Sequence, residues 1–278
     1  MNKNPKVSAV IAAHNEELHL ADCIKSLLSQ SHKNLEIIIV ENGNSRDKTL
    51  KIAKKYEKKY KNVSALTIPG KQKGPGNAWN CGVKKSKGKY IIICGADLIY
   101  GKDYIKNGIS ILISNRYNAL VHREEKCNNL SNLWARAFFK KRSSINEKGL
   151  SKVFTIVRKK YVLKNPFDSK FGYADDQTVY RKKGTTFPAV DLEVYHTNPA
   201  SFKDTWDHSI WVGRSIKKPG IILVVLPVFF LWAFYKSLFH LKKDFYLPFI
   251  FFLPLYYAIR YFAYFIESFK KLFLNKIP

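Results

Sequence analysis

Three short stretches place carboxylates, amides and glycines directly after runs of aliphatic residues. His14, Asn15, Glu16 and Glu17 follow residues 7–13 (VSAVIAA), and ENGNSRD at 41–47 follows LEIIIV at 35–40. Gly95, Ala96 and Asp97 follow KYIIIC at 89–94. A carboxylate in such a place can accept hydrogen bonds from ligand hydroxyl or imide groups. Glu41 is placed for that, with Asn15 and Glu16 on the neighbouring wall. Asp47 either joins them or caps the helix that follows. Gly74-Pro75-Gly76-Asn77 opens a helix and permits close backbone approach to a ligand, with Lys71 and Lys73 near enough to meet phosphate. The alternative is an ordinary surface loop. Further on, Asp175 and Asp176 precede an apparent helix ending in Arg181-Lys182-Lys183-Gly184, and His196 follows VDLEV at 190–194.

The aliphatic runs are too short for helices and read as buried strands, joined by a third at 63–68. Between them, 16–30 carries Leu18, Leu20, Cys23, Ile24, Leu27 and Leu28 at helical spacing, 47–60 is a Lys-rich helix, and 78–85 is helical. Strand–helix alternation at this spacing predicts an α/β, doubly wound sheet. In such sheets ligands collect beyond the carboxyl ends of the strands, where the chemistry-bearing residues fall. Residues 190–194 are expected to form one further strand.

The order of these pieces resembles the family 2 glycosyltransferases, in their membrane-attached, polyprenyl-phosphate-sugar-synthase-like form. AAHNEE stands after the first strand, ENGNSRDKT after the second, and GPGNAWNCGVKKSKGKYIIICGAD spans the next helix and strand. The resemblance covers about residues 5–215. It implies a GT-A fold with a mixed sheet and a Rossmann-like half that binds a nucleotide-sugar donor through Ala13, Asn15, Glu16, Glu41, Gly74, Asn77, Ala96 and Asp97. It implies that Asp97 holds Mg²⁺ or Mn²⁺ against the diphosphate, with His196 approaching the same ion or the phosphates, and that Asp175 or Asp176 is the catalytic base. Counting back six residues from Arg181 selects Asp175, whereas a DDQ reading selects Asp176. Two departures stand out. Gly95 occupies the first acidic position of the D-x-D motif, and the 41–47 loop is one residue longer than usual. Trp206, His208, Trp211, Gly213 and Arg214 match imperfectly a family segment of the Q-x-x-R-W kind, and the tryptophans serve equally as membrane-interface anchors. Residues 115–150, with Arg116, Arg123, Arg136 and Lys140–Arg142, are expected on the acceptor side.

The chain of 278 residues has a formal net charge of +27, but its halves differ. Before Pro219 there are 41 basic and 19 acidic residues; from Pro219 onward there are 7 and 2, among Phe, Leu, Ile and Tyr. The apolar content excludes intrinsic disorder, and four cysteines without a CxxC pair read as reduced thiols. Two apolar runs, about 219–241 and 245–267, predict a helical hairpin crossing a bilayer, with two amphipathic helices lying in the interface as the alternative. The expected organisation is a catalytic domain at 1–215, followed by a membrane-associated region at 216–278. The expected location is the cell membrane, multi-pass, with the catalytic domain cytoplasmic. The expected activity is metal-assisted, inverting transfer of a sugar from a nucleotide-diphosphate donor to a lipid-linked or glycan acceptor, with membrane lipids as partners. The competing readings are a tethered nucleotide-sugar binder with weakened catalysis, motivated by Gly95, and a basic nucleic-acid-binding protein. The diffuse placement of the charge argues against the last, and no nucleic acid is expected.

Overall fold

Val7–Ala13 (β1), Leu35–Glu41 (β2), Val63–Thr67 (β3) and Tyr90–Gly95 (β4) are rich in branched aliphatic residues, which pack well on a pleated surface. In the computed structural model, which describes residues 4–43, 45–69, 74–139, 149–214 and 228–274, these strands pair in parallel. β1 is central, with Ala9 opposite Ile37 on one side and Ile92 on the other. The intervening helices are Leu20–Leu28 (α1), Thr49–Lys59 (α2) and Pro75–Lys85 (α3). Both faces of the sheet are covered, so the strands read as continuous apolar runs rather than alternating ones. Val7, Ala9 and Ile11 face a core that includes Cys23, Ile24 and Ala53, while Val10 faces another with Ala78 and Val83.

Beyond β4 the chain adds Leu98–Tyr100 (β5), Tyr104–Ser114 (α4), Ala119–His122 (β6) and Lys126–Cys127 (β7). After Leu133–Phe138 (α5) come Leu150–Ser151 (β8), Ile156–Arg158 (β9) and Lys159–Lys164 (α6). A 3₁₀ segment, Ser169–Gln177, then leads into Thr178–Lys183 (α7), Phe187–Val190 (β10) and Val194–His196 (β11). The large sheet has the order β3-β2-β1-β4-β9-β6-β10-β8, with β9 antiparallel to both neighbours, and β5-β11-β7 form a small second sheet. The mixed α/β fold is as expected. Two local expectations need correction. The strand foreseen at 190–194 is two strands in different sheets: Phe187–Val190 pairs with β6 and β8, and Val194–His196 with β5 and β7, with Asp191 and Glu193 between them ion-paired to Arg123 and Lys126. The first helix begins at Leu20, not Glu16: Asn15, at φ 57°, follows the end of the strand, and Glu16–His19 form a turn whose Glu16 carbonyl accepts from the His19 and Leu20 N–H groups.

The chain divides into two compact units, Met1–Asn128 with Lys141–Thr197, and Asn129–Lys140 with Asn198–Pro278. The second unit contains α5 together with Phe202–Arg214 (α8), Phe229–Leu241 (α9) and Phe249–Phe269 (α10). Its core joins Ala137 and Phe138 of α5 to Ala233, Phe249, Leu253, Tyr256 and Tyr257. Among the described residues one helical stretch, Phe249–Phe273, is long and apolar enough to cross a membrane. The first expected span lies partly outside the described residues. Its described part, α9, has 13 residues, short of the roughly 20 that cross a hydrocarbon core. Multi-pass topology is therefore not supported among the described residues.

Candidate functional site

The ends of β1 and β2 are stitched together by their following loops. The Asn15 N–H donates to Ser45 Oγ (3.2 Å), and Asn15 Oδ1 accepts from the Arg46 N–H (2.8 Å). The Glu16 N–H donates to Thr49 Oγ1 (2.7 Å), and the Glu17 N–H to Asp47 Oδ2 (2.9 Å). Asp47 Oδ1 also accepts from the Thr49 N–H (2.9 Å), so this carboxylate caps the first turn of α2, the capping role left open above. Asn15 is thus a structural hinge as well as a candidate contact. Ser45, Arg46 and Thr49 are partners that strand-end reasoning did not single out. Their signal is the Asx-and-hydroxyl density of 42–49, characteristic of a tightly hydrogen-bonded turn.

Glu41 is 2% exposed, and both its oxygens serve its own loop. Oε2 accepts from the Gly43 N–H (2.8 Å) and Oε1 from the Ser45 N–H (3.0 Å). Burial works to raise this carboxyl, but the hydrogen bonds from Ser45 and Gly43 outweigh it and hold it below the ordinary range. Glu41 therefore shapes the 41–45 loop, and any ligand contact comes in addition. Ala13 is buried at the end of β1, where its carbonyl accepts from the Asn42 N–H (3.2 Å).

After β4, Ala96 is buried and Asp97 stands half-buried at the edge of the first unit. The β5–β11 pairing sets His196 opposite Leu98, and this brings His196 Nε2 to 3.0 Å from Asp97 Oδ2. The Thr197 N–H donates to the Asp97 carbonyl (3.0 Å), closing the same corner. Burial, followed by the negative charges of Asp97 and Asp47, pushes the Glu16 carboxyl well above the usual range. A cation would relieve that repulsion. A carboxylate and an imidazole side by side suit Mn²⁺ or Mg²⁺ when substrate phosphates complete the shell. Among the described residues no group of three or more His, Cys, Asp and Glu side chains forms a ready-made metal cage. The side chains therefore fit an ion shared with a ligand better than one held by protein alone. A Cβ on Gly95 would lie 2.6 Å from Asp97 Oδ1, so the Asp97 carboxylate fills the place of the missing first acidic side chain.

The second cluster lies at the start of α3. Gly74 has φ 102°, open to glycine and unfavourable to other residues. Pro75 follows at the first helical turn, where a missing N–H costs nothing. The Gly76 N–H donates to Asp175 Oδ2 at 2.7 Å, and a Cβ on Gly76 would lie 2.7 Å from that oxygen and 2.9 Å from Phe167 Cβ. Asp175 is 1% exposed. Burial raises its carboxyl to about 6, against hydrogen bonds that pull it down. Asp176 is next along the 3₁₀ segment with its side chain half-buried, as is Asn77 on α3. Asn80, which sequence reasoning did not identify, clamps α3 to the same segment. Its Nδ2 donates to the Phe167 carbonyl (2.8 Å), and its Oδ1 accepts from the Phe167 N–H (3.0 Å). Trp79 Nε1 donates to the Cys94 carbonyl (2.9 Å), tying α3 to the end of β4.

The structure places Ala13, Asn15, Glu16, Glu41, Ala96 and Asp97 at or just beyond the carboxyl ends of β1, β2 and β4, and separately brings Asp175 to Gly76 across 99 residues. Lys71 and Lys73 lie outside the described residues. Arg123 is engaged by Asp191 and the Ala189 carbonyl, and Arg116 sits at the turn closing α4 with φ 56°.

A model of Glycosyl transferase family 2 matches residues 8–184. An uncharacterized glycosyltransferase of Rickettsia prowazekii is 37% identical over 109 residues, 39% of this chain and 32% of its own length. A dolichyl N-acetyl-alpha-D-glucosaminyl phosphate 3-beta-D-2,3-diacetamido-2,3-dideoxy-beta-D-glucuronosyltransferase of Methanococcus voltae is 31% identical over 105 residues, 37% of this chain and 32% of its own length. The chain therefore matches about a third of the length of these curated relatives. Among solved structures, S. aureus TarS 1-349 in complex with UDP is 18% identical with a TM-score of 0.56, covering 75% of this chain and 64% of its own. The mannosyltransferase PcManGT from Pyrobaculum calidifontis, in complex with GDP-Man and Mn²⁺, is 14% identical with a TM-score of 0.60, covering 98% of this chain and 88% of its own.

Proposed function

The chain belongs to glycosyl transferase family 2, and we propose that it is a membrane-attached, inverting enzyme acting on a lipid-linked or glycan acceptor. The donor is a nucleotide-diphosphate sugar. The observation that carries the reading is the meeting of Asp175 with the glycine-opened start of α3, in a chain that also sets Asn15, Glu16 and Asp97 just after the ends of β1 and β4. Gly76 lets Asp175 and Phe167 close on the start of α3 because it lacks a Cβ, so this helix start holds the Asp175–Asp176 segment in place. The 42–49 loop and the β1 end form the wall for the nucleoside.

In this reading Asp175 is committed to the Gly76 N–H and positions α3, so Asp176 is the base. It takes the proton from the acceptor hydroxyl as that oxygen attacks the anomeric carbon. The bond from that carbon to the diphosphate breaks, its electron pair leaves with the diphosphate, and the configuration inverts. With a polyprenyl phosphate as acceptor the attacking oxygen is already ionised, and the demand on Asp176 falls. Asp97 and His196 would hold Mg²⁺ or Mn²⁺ with the donor phosphates, and that ion supplies charge neutralisation for the leaving group. A relative named for transfer to a dolichyl-linked sugar and the apolar C-terminal helix support a lipid-linked acceptor.

The test is transfer of radiolabelled sugar from UDP- and GDP-sugars to membrane lipids in the presence of Mn²⁺. Asp176→Asn is expected to lower kcat by about 10²–10⁴-fold while leaving donor affinity nearly unchanged. Asp175→Asn is expected to weaken donor binding as well. Donor binding by the wild-type chain without any turnover would favour the binder reading, to which Gly95 lends its only support.

A further inference from the structure

The second unit carries an apolar surface that its own helices leave uncovered. On α10, Phe251 (84% exposed), Leu255 and the half-exposed Phe262, with Phe269 and Phe273 beyond, recur at intervals of four and seven and so share one face of the helix, of which α8 covers only the Phe262 part through Trp206. The opposite face, with Phe249, Leu253, Tyr256, Ala263 and Glu267, is buried. What buries it carries charge on its own far side. α8 runs alongside α10: Phe202 meets Trp134, which itself packs on Phe252, Trp206 meets Phe262, and Gly213 lies against Glu267. Over that stretch α8 exposes Lys203, Asp204 and Asp207 alongside Phe202 and, further on, Trp211, with Lys203 Nζ 2.6 Å from Asp207 Oδ2. At the other end, Arg136 of α5 donates to both oxygens of Asp244 in the α9–α10 turn (2.9 and 2.7 Å). Its guanidinium also lies 4.1 Å over the Tyr246 ring.

A spanning α10 would carry these charges into the hydrocarbon core level with its own midpoint, an expensive and unneeded arrangement. A helix with one charged, covered side and one apolar, open side instead suits the headgroup–acyl boundary. α9 agrees. It exposes Leu231, Phe234 and Leu238, and keeps Trp232 and Tyr235, the aromatic types that favour such boundaries. Lys236, Lys242 and Lys243 stand beside these residues, Lys236 Nζ being 4.6 Å over the Trp232 ring, and supply charge for anionic headgroups.

Resting on the membrane attachment proposed above, we infer that α9 and α10 lie in the plane of one anionic leaflet rather than crossing it. The α9–α10 turn then stays on the same side of the bilayer as the catalytic unit. The experiment uses the full chain in membranes with Lys243→Cys in that turn, Lys51→Cys on the exposed side of α2 as the reference, and the wild-type chain as the blank. A membrane-impermeant maleimide is applied separately to each face. Labelling of Lys243→Cys from the same face as Lys51→Cys is expected. Labelling from the opposite face, or protection from both, overturns the in-plane anchor and leaves membrane attachment standing. A chain that stays in the soluble fraction, and does not co-sediment with phosphatidylcholine–phosphatidylglycerol vesicles, overturns the attachment itself.

Discussion

Asp175 carries two opposing demands, and both are measurable. Its folded carboxyl titrates at about 6, raised by burial above the ordinary value of 3.8. The folded chain therefore binds that proton more tightly than the unfolded chain. This contribution favours folding below the unfolded value and is lost as pH rises from about 4 through 6. The shift corresponds to about 3 kcal/mol. Wild type should thus gain stability relative to Asp175→Asn on lowering pH from 7 to 4, as read from urea unfolding at each pH. Gly76→Ala should destabilise by about 1–3 kcal/mol, because its Cβ must displace both an oxygen at 2.7 Å and a carbon at 2.9 Å. An unchanged unfolding midpoint would show that the segment gives way freely. The sequence located Asn15, Glu16, Glu41 and Asp97 because strand ends are visible in it. It did not show that Glu41 spends its oxygens on Gly43 and Ser45, since such bonds depend on how the loop closes.

At the scale of elements, α3 and the first four strands were legible because buried parallel strands are long, uniform and bounded by turns. β9 was not, since three residues, IVR, carry no periodicity, and its place between β4 and β6 is set by pairing alone. The split between β10 and β11 was hidden for a related reason. A run of alternating polarity looks like one strand until its two ends pair in different sheets. The α5–α10 association was equally silent, because Arg136 and Asp244 are 108 residues apart. Their bidentate pair is partly exposed, which screens it. A double-mutant cycle of Arg136→Ala and Asp244→Ala should give a coupling of about 1 kcal/mol, smaller at high salt. A coupling indistinguishable from zero would make the pair incidental to the second unit.

For the molecule as a whole, the excess of +27 is spread along the chain, and the lysines within the apolar tail, Lys236, Lys242 and Lys243, are the ones that stand beside exposed apolar residues. Binding to anionic vesicles should weaken with rising salt, and Lys242→Gln with Lys243→Gln should each cost about five-fold in vesicle affinity, the equivalent of about 1 kcal/mol per lysine. Salt-independent binding would assign the attraction to apolar burial alone. The division into a family-like half and an apolar tail was legible from composition. The sequence did not disclose that residues 129–140 belong with the tail. That arrangement governs how the chain is born. α5 leaves the ribosome about a hundred residues before α9 and α10, the helices that cover Ala137 and Phe138. At synthesis rates of about 5–20 residues per second, this leaves its apolar side waiting for roughly 5–20 seconds. During that interval the nascent chain offers a greasy handle that a chaperone, or the bilayer itself, can grasp before the enzyme is complete.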